Sequence, residues 1–188
     1  MRFICYSILL FAFLFSCTSS KDDKKELLEI SDELKPVFTC NEKVVAVQGS
    51  EDSSIIKKCN YKHFQFVSIA EADYKGRYSY TYELYQKNSK GKFSKIKNSA
   101  FFNSKISELE EKLNKLIAFD YHNAANSEDS ENCFEGFELQ KYSIDDVGIT
   151  VSGDDINFNV TYGLSPACMS MDGTVISFKV FELEKYLK

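Results

Sequence analysis

The spacing of apolar and polar residues changes its period along the chain, and each change predicts a different element. An almost unbroken apolar run extends from Phe3 to Phe15. After a polar stretch, Leu27, Leu28, Ile30 and Leu34 recur at near-helical spacing, and Pro36 ends that short amphipathic helix. Strand-like pieces follow at Val37–Cys40, Lys43–Val47 and Ile55–Cys59, the last two parted by the turn-rich residues 48–54. Phe64, Phe66 and Ile69 lie in the next extended stretch. Tyr78, Tyr80, Tyr82 and Leu84 alternate with Ser79, Thr81 and Glu83, the two-residue period of a strand. Asn88-Ser89-Lys90-Gly91 supplies a turn, and Phe93–Phe102 is the expected hairpin partner.

The period then lengthens. Ile106, Leu109, Leu113, Leu116 and Ile117 fall three or four positions apart, one stripe of a helix over about residues 104–125. Asn103 or Ser104 is placed to cap it, and Glu108, Glu110 and Glu111 suit its positive N-terminal end. Residues 126–132 read as an acidic loop. Strands are expected again at Phe137–Tyr142, Ile149–Ser152, Ile156–Tyr162 and Thr174–Phe181, with a short final helix at Glu182–Leu187. Strands, a helix, strands and a terminal helix make an α+β protein with a mostly antiparallel sheet. Residues 26–188 form one domain on this reading, with a strand-rich half (37–102) and a second half (103–188).

The N-terminus carries an address. Arg2 precedes the apolar run, which is shorter than the roughly 20 residues needed to span a bilayer. This is the pattern of a cleaved export signal over residues 1–16. The junction Leu14-Phe15-Ser16-Cys17 resembles the lipobox of bacterial lipoproteins, which implies that Cys17 is acylated and becomes the first mature residue. Two or three acyl chains hold a protein stably to a membrane. Residues 17–25 then serve as a flexible tether. Within it, Lys21-Asp22-Asp23 resembles the signal that sends some lipoproteins of Gram-negative bacteria to the outer face of the outer membrane. An outer-membrane lipid anchor is expected, with the cell surface favoured over the periplasmic face.

That address organises the cysteines. Of six, Cys5 leaves with the signal and Cys17 carries lipid, so Cys40, Cys59, Cys133 and Cys168 remain. An even number in an exported chain reads as disulfides, with three pairings open. Cys40–Cys59 with Cys133–Cys168 is the preferred one, since each pair closes a moderate loop within its own half. Zinc is the rival, but there is no C-x-x-C spacing, and His63 and His122 are distant from the cysteines in sequence.

Net charge is −5 and no basic stripe is present, which argues against a nucleic-acid partner. Lys87, Lys90, Lys92, Lys95 and Lys97 flank a turn and read as a solvated hairpin tip. The 16 Phe and 11 Tyr supply a core. Tyrosine strands can also form a binding face, because the ring offers rigid apolar area with a polar tip, but packing is the default for them.

Gly163-Leu164-Ser165-Pro166-Ala167 lacks the second glycine of a hydrolase elbow, and no phosphate loop or H-E-x-x-H motif occurs. His63 and His122 have no nucleophile pattern beside them. Asp155, Asn157 and Asn159 imitate the start of a calcium loop, yet Val160 stands where that loop needs glycine, so a strand is expected. Glu128, Asp129 and Glu131 read as solvated loop, and Asp145-Asp146 as ordinary surface acids. No metal site and no cofactor are expected.

One longer resemblance exists. Tyr142-Ser143-Ile144-Asp145-Asp146-Val147-Gly148, Ile156-Asn157-Phe158-Asn159-Val160, Gly163-Leu164-Ser165-Pro166-Ala167, Gly173-Thr174-Val175-Ile176-Ser177-Phe178 and Leu183-Glu184-Lys185-Tyr186-Leu187 resemble the end of the DUF3298-type extracytoplasmic domain. Phe102-Asn103-Ser104-Lys105-Ile106 ahead of the helix is similar to what precedes it there. The resemblance implies a small α+β binding or accessory domain, as in some anti-sigma-factor ectodomains and exported polysaccharide deacetylases, whose chemistry sits in a separate domain. A non-catalytic, membrane-anchored protein that binds a protein or glycan ligand is therefore expected. The alternatives are an inhibitor or sensor of a cell-wall hydrolase such as lysozyme, and a small glycan- or peptide-directed hydrolase using His63 or His122 as base.

Overall fold

Alternating strands can bury one face only if a second layer covers it. A computed structural model of the chain describes residues 37–46, 53–72, 78–130 and 132–188, all within the compact unit Pro36–Lys188. The export signal expected at 1–16, Cys17, the tether expected at 17–25 with Lys21, Asp22 and Asp23, and the helix expected at 27–34 lie outside the described residues. Among the described residues, β1 (Thr39–Ala46), β2 (Ser53–Tyr61), β3 (Phe64–Ala72), β4 (Tyr78–Lys87) and β5 (Phe93–Ile96) form an antiparallel sheet in that order. A second antiparallel sheet contains β6 (Gly148–Ser152), β7 (Asp155–Val160) and β8 (Thr174–Lys179). Helix α1 (Ile106–Ala125) separates the sheets in sequence, and a four-residue α2 (Val180–Leu183) with a 3-10 turn at Glu184–Tyr186 ends the chain. The fold is α+β, as expected, with the antiparallel strands divided between two sheets.

Helix α1 buries Leu109, Leu113, Ile117 and Tyr121. It runs antiparallel to β8: Thr174 Oγ1 donates to Asp120 at 2.7 Å, and eight residues earlier Lys112 Nζ stands 4.4 Å from the centre of the Phe178 ring. The inward residues of the smaller sheet, Ile149, Val151, Ile156, Phe158, Val160, Ile176 and Phe178, are all buried. They join Phe64, Phe66 and Leu84 of the larger sheet in one core, with Phe101 and Phe102 between.

Several segments depart from the sequence reading, each for a local reason. The two pieces expected at 37–40 and 43–47 are one strand, because Asn41 and Glu42 keep the ladder opposite Lys58 and Lys57. The hairpin partner stops at Ile96 rather than Phe102. Asn98 donates to the carbonyls of Ile144 and Val147, and Ser99 donates its N–H and hydroxyl to Asp145, winding Asn98–Phe101 into a 3-10 turn. Residues 137–142 are not a strand. The Asn114 side chain accepts the Tyr142 N–H at 2.9 Å and donates to its carbonyl at 2.8 Å, and Tyr121 donates to Phe137 O, so helix side chains take the groups a neighbouring strand would have used. The last strand ends at Lys179, where the Glu182 carboxylate accepts the Lys179 N–H and starts α2. Asn103 acts one step ahead of α1: it accepts from Lys105 N–H and donates to the carbonyls of Lys185 and Leu187, tying the C-terminus to the helix entry.

Directly opposed residues of an antiparallel ladder share a face. The row Cys40, Cys59, Phe66, Leu84 and Ile96 therefore lies on the face that meets the core. The smaller sheet reaches only so far along it. Gly148 of β6 packs against the Tyr82 ring, and a Cβ placed there would stand 2.0 Å from the nearest ring carbon. Gly148→Ala should accordingly cost about 1–3 kcal/mol of stability, the ordinary penalty of overpacking. Tyr82→Ala in the same chain should recover part of that loss in a urea-unfolding cycle; strict additivity would show that the two groups do not meet.

Candidate functional site

Beyond Gly148 the cover that the described residues give the inner face of the larger sheet thins. Leu84 is 2% exposed, whereas Tyr78 is 47% and Tyr80 59% exposed, so burial fades along a single strand. The packing expected of the tyrosine row holds for Leu84 and half-buried Tyr82 and fails for the other two. Register places Glu42, Lys57, Ser68 and Tyr82 in one row across the sheet, and Val44, Ile55, Ala70 and Tyr80 in the next. The ring centres of Tyr78 and Tyr80 are 6.4 Å apart, and those of Tyr80 and Tyr82 are 6.3 Å apart with nearly parallel planes.

Two depressions share this ladder. One, of about 400 Å³, lies over β1–β4 and is lined by Glu42, Ile55, Lys57, Ser68 and Ala70 with Tyr78 and Tyr80. The other, of about 440 Å³, is walled on its far side by Asn159, Thr161, Met169, Asp172 and Val175 from the smaller sheet and its loops. Together they form a groove with a tyrosine ridge along the middle, within the size range of small-ligand sites. Exposed Val44, Met169 and Val175 add apolar surface at its margins.

The electrostatics are mild. Burial, and secondarily Tyr80, pushes the Tyr82 phenol above its ordinary value. Asp172 Oδ1 accepts the N–H groups of Gly163 and Leu164, which commits that oxygen to shaping the loop. Glu42 and Lys57 face each other across β1 and β2. Asn159 donates to Gly148 O and Thr150 Oγ1, while Asn157 accepts from Ser177, so the imitation calcium ligands are strand residues engaged with neighbours.

Both disulfides form with the preferred pairing. Cys40–Cys59 joins directly opposed residues of β1 and β2, with Cα atoms 4.0 Å apart, and pins the edge strand. Cys133–Cys168 ties the segment after α1 to the 3-10 turn Pro166–Met171 beside the groove. Tyr121, Phe134 and Tyr162 pack edge-to-face near it, and burial, then Asp120, pushes the Tyr162 phenol up to about 12.

The remaining sequence candidates lie elsewhere. His63 in the β2–β3 turn and His122 in the last turn of α1 are both exposed. Asp145 holds Ser99, and Asp146 holds the Ser143 hydroxyl and N–H, bonds that keep the Asp146 carboxyl below its ordinary range. Lys87, Lys90, Lys92, Lys95 and Lys97 are exposed around the hairpin tip, where Asn88 accepts the N–H groups of Lys90 and Lys92. Among the described residues, no group of three His, Cys, Asp or Glu side chains is placed to hold a metal ion. A larger cleft, of about 800 Å³, runs beside α1, but Glu110 and Asn114 in its wall already serve the backbone of Ile144 and Tyr142.

Fold and site together define a disulfide-pinned α+β domain that presents an open, tyrosine-ridged groove. No family model matches the chain, and no curated protein matches it.

Proposed function

We propose that the protein is a membrane-anchored extracytoplasmic lipoprotein that binds its ligand, without chemistry, in the tyrosine groove. The observation that carries the binding reading is the exposure of Tyr78 and Tyr80 on the same face of β4 that buries Leu84. A rigid sheet that leaves regularly spaced aromatic rings in solvent gives up burial energy, and a ligand restores it. Tyrosine also binds at low entropic cost, having few rotors to immobilise. The Cys17 lipid supplies the anchor, residues 17–25 the tether, and Lys21-Asp22-Asp23 the address on the outer membrane. Two disulfides accord with an oxidising compartment. The DUF3298-like stretch supports an accessory role for the same domain.

The anchor is tested by fractionation: Cys17→Ala should move the protein from the membrane to the soluble fraction, and persistence in the membrane would refute lipidation at that residue. Replacing Lys21, Asp22 and Asp23 with alanine should protect the protein from protease added to intact cells. The groove is tested by pull-down from a cell-envelope extract, comparing wild type with Tyr80→Ala. Recovery of an envelope component by the first and not the second is expected; equal recovery by both would place binding elsewhere.

A further inference from the structure

We infer that the groove takes a neutral glycan chain, an inference that rests on the groove being the binding site. Four observations converge on that chemistry. First, the ridge consists of aromatic rings at a regular interval, 6.4 and then 6.3 Å along β4. That interval is the two-residue repeat of the strand, and it sets three rings in a line against which a chain of linked pyranoses can rest. Second, polar groups flank the ridge: Ser68 with Glu42 and Lys57 on one side, Asn159 and Thr161 with Asp172 on the other. A pyranose has an apolar face of C–H groups and a rim of hydroxyls, so it needs a ring beneath and donors and acceptors around it. Third, the charges nearly cancel, with Glu42 opposite Lys57 and an Asp172 oxygen committed to backbone N–H groups. Among the described lining residues, a polyanion finds no cluster of cations, and a polycation finds no cluster of acids. Fourth, the two depressions are of small-ligand size, about 400 and 440 Å³, one on each side of the Tyr78–Tyr80 ridge. A protein partner would need a desolvated apolar anchor pocket at the centre of the patch. What stands at this centre is a ridge with polar flanks.

The chain contains no tryptophan, so its intrinsic emission reports on tyrosine directly. The full chain, produced in a bacterial host and purified in a detergent without a sugar headgroup, is titrated with cellohexaose, chitohexaose and maltohexaose. Calorimetry and tyrosine emission are the readouts. Saturable binding of at least one oligosaccharide is expected, weakened about tenfold or more by Tyr80→Ala and only a few-fold by Tyr80→Phe, which keeps the ring. An unchanged melting temperature in both variants shows that the sheet is intact. Absence of binding by all three sugars overturns the inference, as does binding indifferent to Tyr80→Ala. If no sugar binds while wild type, and not Tyr80→Ala, retains an envelope protein, the glycan assignment falls and the groove remains the binding site. If Tyr80→Ala retains the same material as wild type, the groove reading itself falls.

Discussion

Truncating Phe101 to alanine should remove about 3–5 kcal/mol of folding stability, the range for a fully enclosed phenylalanine. Phe101 is 0% exposed, and its ring stands 4.9 to 6.0 Å from those of Phe64, Phe66, Phe102 and Tyr61. Three of these belong to the larger sheet, and Phe102 leads on to Phe158 of the smaller one. The side chain is therefore the joint between two layers, and the 3-10 turn that carries it is held by Asn98 and Ser99 and cannot collapse easily onto the void. Phe119→Ala is the matched control. That ring is 64% exposed on α1, and its loss should change stability by no more than about 0.5 kcal/mol. Urea unfolding of both variants checks the contrast; similar small losses would mean that the layers do not meet at Phe101.

The second large effect is expected from Cys133–Cys168. Replacing both with alanine should lower stability by about 2–4 kcal/mol, chiefly by releasing the unfolded chain from a closed loop. The bridge spans 35 positions against 19 for Cys40–Cys59, so its entropic contribution is the larger by a fraction of a kcal/mol. The native state adds a further difference. Cys40 and Cys59 sit inside a ladder whose backbone hydrogen bonds already hold β1 to β2. Residues 132–141 belong to no strand or long helix, and their attachment depends on Tyr121, the Cys133 bridge and the packing of Phe134. Loss of the bridge should therefore expose this segment to limited proteolysis before the rest of the domain unfolds. Thermal scans of the two double variants, with mass spectrometry of protease fragments, would register the order. A greater loss from Cys40 and Cys59 would reverse it.

Much of the fold was legible because periodic burial leaves a periodic trace. Helix α1 was expected at about 104–125 and occupies Ile106–Ala125, since five apolar residues at helical spacing admit no other regular element. The strands β2, β4, β6 and β7 follow their alternation closely. The errors fall where backbone partners are side chains distant in sequence. Nothing in residues 137–142 says that Asn114 will take the hydrogen bonds of Tyr142, or in Phe93–Phe102 that Asp145 will draw Ser99 out of the sheet. Of the groove, Tyr78, Tyr80 and Tyr82 were visible as a possible binding face. Lys57, Ser68, Met169 and Asp172 carried no signal, because their only common property is position.

The sequence by itself determined the alternation that makes β4 a strand, the stripe that makes α1 a helix, and the presence of the four cysteines that the two disulfides use. These are local or arithmetic properties, encoded in spacing and composition. Only the tertiary structure decided which tyrosines the core would claim. Leu84 and Tyr80 are equivalent in the pattern of β4, and they differ because the smaller sheet ends over Gly148. A strand specifies which way its side chains point. The extent of the layer packed against it decides how many of them are buried.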